Sequence, residues 1–145
     1  MHLQNHMFVR QLAAGGILIW AFGSSCLAGT SDFVGTWTNS DPNAGTIAYV
    51  TIAQAPSGLI LSVFGKCHPT ACPWGPAQAR VYTQRVGENP MSGATAITGS
   101  YDKGFSATEV VLELQGGAKL RYEMFTHFKD SSKRSDYFSE GVLSR

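Results

Sequence analysis

The sequence predicts an all-β protein, an eight-stranded antiparallel up-and-down barrel behind an N-terminal export segment, and three observations carry this. Beyond residue 30, short β-branched and aromatic runs alternate with turn signals, and helical periodicity is hard to find. Thirteen of the sixteen glycines fall after residue 28, many of them between those runs. The connectors are mostly of hairpin length, which favours sequential antiparallel neighbours over the crossovers of a sandwich. Closing such a sheet removes its exposed edges.

Length and charge set the outer bounds. A chain of 145 residues allows one domain. Hydrophobic residues make up 43% and charged residues 14%, against about 25% charged in an average soluble domain, which excludes disorder and long solvated helices. The formal net charge of +1 provides no basic field for nucleic acid or an anionic membrane.

The first element is a leader. Arg10 precedes an apolar run from Leu12 to Leu27 that ends in small residues, the pattern of a Sec-type signal peptide spanning residues 1–28 and cleaved after Ala28. The run falls short of the roughly 20 apolar residues of a spanning helix. Cys26 offers lipid anchoring as the alternative, but Gly23 stands where a lipobox carries leucine. The expected location is therefore secreted or periplasmic, with residues 29–145 as the single domain.

Eight strand-like runs follow: Val34 to Asn39, Thr46 to Ala55, Leu59 to Gly65, Ala77 to Val86, Ala94 to Tyr101, Ser106 to Gln115, Lys119 to Phe128 and Ser135 to Ser144. The sixth and seventh can be registered by arithmetic. With Gly116, Gly117 and Ala118 as a three-residue loop, Leu114 faces Leu120, Leu112 faces Tyr122, Val110 faces Met124 and Thr108 faces Thr126. Glu113 and Arg121 then pair on the other face. A two-residue loop would exchange core and solvent faces, so the apolar set is the interior.

Alternate loops of an up-and-down barrel share one end. The long connectors Ser40 to Gly45, Lys66 to Pro76 and Lys129 to Arg134 all fall after odd-numbered strands, making that end the candidate mouth.

Gly35-Thr36-Trp37-Thr38-Asn39 opens the first strand, with Trp37 and Asn39 on one face. It resembles the opening strand of avidin-like barrels, whose matching asparagine contacts biotin, and the Gly-x-Trp start of lipocalins. The resemblance implies a ligand contact for Asn39 and a place for Arg145 against Trp37. Beyond the leader only Trp37 and Trp74 remain, fewer tryptophans than an avidin site uses, so biotin is not the expected ligand.

The segment Gly65 to Gly75, GKCHPTACPWG, is the most distinctive. In an exported chain, Cys67 and Cys72 predict one disulfide. With Pro69, Pro73 and Pro76 it leaves His68 and Trp74 few positions. The loop resembles a GKCHPTxCxWG motif of small exported bacterial domains of unassigned function, and the runs Phe33 to Trp74 and Tyr122 to Phe128 resemble the same family. Ala71 stands where relatives carry an acid. A metal site from Cys67, His68 and Cys72 would need free thiolates and His127 as well, so no metal is expected.

No spacing supports nucleophilic catalysis, since the nucleophile elbow, HExxH, Walker loop and dinucleotide fingerprint are all absent. Glu109, Glu113 and His127 alternate onto the outer face, and Lys129, Lys133 and Arg134 read as a solvated turn. The expectation is a non-enzymatic binder of a small molecule, without cofactor, using Asn39, Tyr49, His68, Thr126 and Tyr137 around the mouth, with Trp74 as a lid. The competing expectation is a protein or glycan interaction module, or an inhibitor, acting through the 66–76 loop.

Overall fold

In the computed structural model, residues 28–145 are described apart from Pro42, Ala44 and Gly117. Nearly all of the expected leader, Cys26 included, lies outside the described residues. The elements in chain order are α1 (Thr30–Phe33), β1 (Gly35–Asn39), β2 (Ile47–Ala55), β3 (Gly58–Gly65), β4 (Cys72–Gln78), β5 (Arg80–Thr83), α2 (Pro90–Gly93), β6 (Ala94–Asp102), β7 (Ser106–Leu114), β8 (Lys119–Phe128) and β9 (Tyr137–Ser144).

All nine strands form one antiparallel sheet in the order β4-β3-β2-β1-β9-β8-β7-β6-β5, curled into a nearly closed barrel. First and last strands pair through Thr38 with Ser144 and Asn39 with Leu143. The expected all-β antiparallel plan is therefore observed, with one correction: the single fourth strand expected from Ala77 to Val86 is two strands. It starts earlier, at Cys72, and divides at Ala79, whose N–H still donates to the Leu59 carbonyl at 2.9 Å. The first half pairs with β3 and the second with β6, so the two halves are the free edges of the sheet. Pro73 and Pro76 supply the reason, because each lacks an N–H and this segment cannot complete ladders on both sides.

Side chains bridge the seam where that ladder is missing. The Tyr101 hydroxyl on β6 donates to the Leu61 carbonyl on β3 at 2.9 Å, and Lys103 Nζ donates to the Trp74 carbonyl on β4 at 2.6 Å. A Cβ on Gly99 would stand 2.8 Å from Leu61 Cδ2, so that glycine makes room for Leu61 to fill the gap.

The β7–β8 hairpin has the register derived from the sequence: Leu114 with Leu120, Leu112 with Tyr122, Val110 with Met124, Thr108 with Thr126, and Glu113 with Arg121. Its loop uses left-handed residues at Gly116 (φ 71°) and Ala118 (φ 58°). The inward side chains Trp37, Leu112, Leu120, Tyr122, Met124 and Leu143 are fully buried, so the barrel is packed solid through its middle. Outside, Arg121 lies among Glu113, Glu123 and Glu140 at 3.6, 2.5 and 2.9 Å.

At the lower end, Trp37 Nε1 donates to the Phe33 carbonyl at 2.8 Å. The Arg145 guanidinium lies 4.4 Å from the Trp37 ring centroid and donates to the Val34 carbonyl at 2.9 Å. Half of the mouth is closed as well. The backbone N–H of Thr46 donates to the Tyr122 hydroxyl at 3.2 Å, and Thr46 Oγ1 donates to Ser139 Oγ at 3.1 Å. The loop after β1 is thereby tied across the core.

Candidate functional site

The other half of the mouth, above β6, β7 and β8 and beside β4, holds a concavity of about 410 Å³. Trp74, Tyr101, Phe105, Phe128 and Tyr137 give it aromatic walls, Ser106, Thr108 and Thr126 face it with hydroxyls, and Lys103 and Arg134 stand at its rim. No carboxylate lines it. Volumes of roughly 300–1,000 Å³ with mainly aromatic walls and a few polar groups are typical of small-molecule sites.

Local sequence positions each wall. Gly75 has φ 91°, and the β3–β4 register shifts between Ser62 and Phe64, an irregularity at which Trp74 leaves the ladder. Its indole lies over Gly65, where an added Cβ would come within 2.9 Å of Nε1. It meets Tyr101 edge-on, with ring centroids 5.6 Å apart at 77°. Cys67 and Cys72 are disulfide-bonded, which anchors the chain two residues before Trp74.

On the far side, the turn after β8 folds Arg134 back onto aromatic faces. Its guanidinium carbon is 4.0 Å from the Phe128 centroid and 5.4 Å from that of Phe105. Arg134 Nη2 pairs with Asp130 at 2.6 Å and Nε donates to Ser132 Oγ at 2.8 Å, so much of its charge is met inside the turn. Its neighbours hold the Asp130 carboxyl below the usual range, chiefly the Ser132 hydroxyl and then Arg134. Lys103 has no carboxylate partner among the described residues and donates only to the Trp74 carbonyl. Between the walls, Thr108 and Thr126 share one hydrogen bond of 3.0 Å, which leaves one hydroxyl hydrogen of the pair available.

Of the six residues singled out in the sequence, the fold unites Trp74, Thr126 and Tyr137 at this concavity. The other three lie elsewhere. Asn39 Nδ2 donates to the Ile47 carbonyl and Oδ1 accepts from Asp41 N, both at 3.0 Å, so its amide secures the β1–β2 loop. Tyr49 points to the outer face and stacks on Phe64 with centroids 4.3 Å apart. A bulge between Ile47 and Tyr49 turns Ile47 inward and leaves Tyr49 opposite the outward Thr38. His68 is exposed on the disulfide loop and does not line the concavity. Trp74 is a wall rather than a lid.

Sequence reasoning missed Tyr101, Lys103, Phe105 and Phe128. Tyr101 and Phe128 alternate with outward neighbours at strand ends near the long loops, a usable signal. Lys103 and Phe105 sit in a short turn that the emphasis on long loops passed over.

A second, open groove of about 740 Å³ adjoins the first, sharing Tyr101, Thr108, Thr126 and Tyr137 with it and extending over the outer face of the same strands. Its outward side chains include half-exposed Phe125 and Phe138, 5.1 Å apart, with Glu109, Asp136 and His127. Ser100 donates a short hydrogen bond to Glu109. His127 Nδ1 stands 2.7 Å from Asp136, and that contact with the Phe128 N–H holds the Asp136 carboxyl below its usual range. Lys129 holds Asp102 low in the same way. With Cys67 bonded to Cys72 and His127 on the outside, the ligand set weighed for a metal is not brought together. Among the described residues no helix is long and apolar enough to cross a membrane.

No protein-family model, curated protein or solved structure matches this chain.

Proposed function

We propose that this protein is an exported binding barrel that holds a small molecule at its mouth and does not transform it. The observation that carries this is the contrast inside one barrel: a core filled from Trp37 to Tyr122, and above it a concavity of about 410 Å³ walled by five aromatic side chains. Aromatic walls enclose a flat apolar body, and the hydroxyls of Ser106, Thr108 and Thr126 orient it. The leader pattern and the disulfide support an oxidising compartment. Partners under this reading are low-molecular-weight compounds, with no cofactor and no nucleic acid.

The competing reading, a protein or glycan surface on the 66–76 loop, draws less support. Trp74, its natural anchor, is turned onto Tyr101, leaving Cys67, His68, Pro69, Thr70, Pro73 and Pro76 as the exposed part of the loop.

The two tryptophans beyond the leader provide the test. Naphthalene-2-methanol titrated into the protein is expected to shift the Trp74 indole N–H resonance and leave that of fully buried Trp37 in place. Gly65→Ala, which drives a methyl into the Trp74 indole, is expected to weaken the response. Shifts confined to the outer face, around Phe125 and Phe138, would overturn the mouth as the site.

A further inference from the structure

We infer that the mouth selects an organic anion, a compact aromatic carboxylate, with Lys103 as the group that recognises the acid. The inference rests on the mouth being a ligand site and adds the class of ligand. Two cations and no carboxylate line this concavity, whereas the adjoining groove, which shares Tyr101, Thr108, Thr126 and Tyr137 with it, carries Asp102, Glu109 and Asp136 and no lysine or arginine. The cations thus line the mouth, while Asp102 and Asp136 of the adjoining groove are paired with Lys129 and His127.

The two cations differ in what they offer. Arg134 already has Asp130 and Ser132 on two of its nitrogens and spends its face on Phe128, so it serves mainly as wall. Lys103 uses one N–H on the Trp74 carbonyl, which fixes the ammonium at the lining of the concavity and leaves two N–H donors for a ligand. A carboxylate there gains a charge-assisted hydrogen bond without displacing an internal ion pair. The Ser106 hydroxyl, with no partner among the described residues, adds a donor on the same turn.

Shape restricts the rest of the molecule. Beneath the pocket, Leu120, Tyr122, Met124 and Leu143 are fully buried, so a long acyl chain has no shaft to enter. A flat ring stacked among Trp74, Tyr101 and Tyr137 fits the space that remains.

Three probes with one ring system separate the charge from the cavity: 2-naphthoate, naphthalene-2-methanol and 2-naphthylmethylamine, titrated calorimetrically into the full chain. The carboxylate is expected to bind about tenfold more tightly than the alcohol, as one charge-assisted hydrogen bond implies, and the amine more weakly than either. Lys103→Gln keeps a donor for the Trp74 carbonyl but removes the charge, and is expected to bring carboxylate and alcohol to equal affinity while the alcohol's own affinity stays. Lys103→Arg is expected to restore the preference. Equal affinities for carboxylate and alcohol in the unaltered protein, with both weakened by Gly65→Ala, would overturn the anion selectivity and leave the mouth site standing. Failure of all three to bind would overturn both.

Discussion

The Tyr101 hydroxyl donates to the Leu61 carbonyl across the only part of the barrel wall that lacks a backbone ladder among the described residues. The bond reaches from β6 past the β4 edge to β3, which is itself paired on both sides. Burial, the larger influence, raises the Tyr101 phenol well above its ordinary 10.0, and the Val63 backbone opposes this only in part.

Tyr101→Phe removes the donor and with it the buried side-chain bond to the Leu61 carbonyl. A loss of about 1–2 kcal/mol in denaturant unfolding is expected. Because the phenol's folded-state value is raised, its contribution is complete below pH 10 and declines as pH rises above that value. The unaltered protein should therefore lose stability more steeply than Tyr101→Phe between pH 9 and 11, roughly one unit either side of a free tyrosine. Parallel curves for the two proteins would refute the buried seam bond.

Gly141 faces Tyr122 across β8 and β9, and an added Cβ would stand 2.7 Å from Tyr122 Cε1. Tyr122 is fully enclosed and cannot give way. Gly141→Ala is expected to destabilise by about 1–3 kcal/mol, as overpacking does. Combining it with Tyr122→Leu should cost less than the two separate losses added together, since the clash disappears with the ring. Additive losses measured by denaturant titration would show that the ring does not occupy that space.

The Cys67–Cys72 disulfide closes a short loop, so removing it relaxes the unfolded chain little. Cys67→Ser with Cys72→Ser is expected to lower stability by no more than about 2 kcal/mol. Its larger effect should be local, a broadened Trp74 indole N–H signal and weaker retention of 2-naphthoate. Unchanged Trp74 spectra would mean that Gly65 and Tyr101 alone hold the indole.

Arg145 stacks on Trp37 and bonds the Val34 carbonyl, closing the lower end of the barrel. Arg145→Ala is expected to cost about 1 kcal/mol, and Arg145→Lys to recover part of it, since lysine keeps the charge without the planar face. Thermal unfolding midpoints of the three proteins provide the comparison. Equal midpoints would reduce Arg145 to an ordinary surface residue.

Much of the strand pairing follows from local rules. Alternation and a glycine-rich three-residue loop were sufficient to register β7 against β8, because a one-residue slip would turn Leu112 and Tyr122 to solvent. The same parity placed Thr126 at the mouth, and hairpin-length connectors settled the sequential strand order. The pairing of Cys67 with Cys72 was legible from their spacing and from the expected export.

How the interior is shared between core and pocket is settled instead by contacts between strands far apart in sequence. Whether Tyr49 faces inward depends on a bulge that no alternation pattern reveals, and whether Asn39 is free depends on where Ile47 and Asp41 come to rest. Lys103 comes to line the concavity because the unpaired edge of β4 passes within reach of a short turn 29 residues away. Registers obey the period of a strand, but a pocket is the volume left when side chains from distant strands do not meet. That remainder depends on all of them at once.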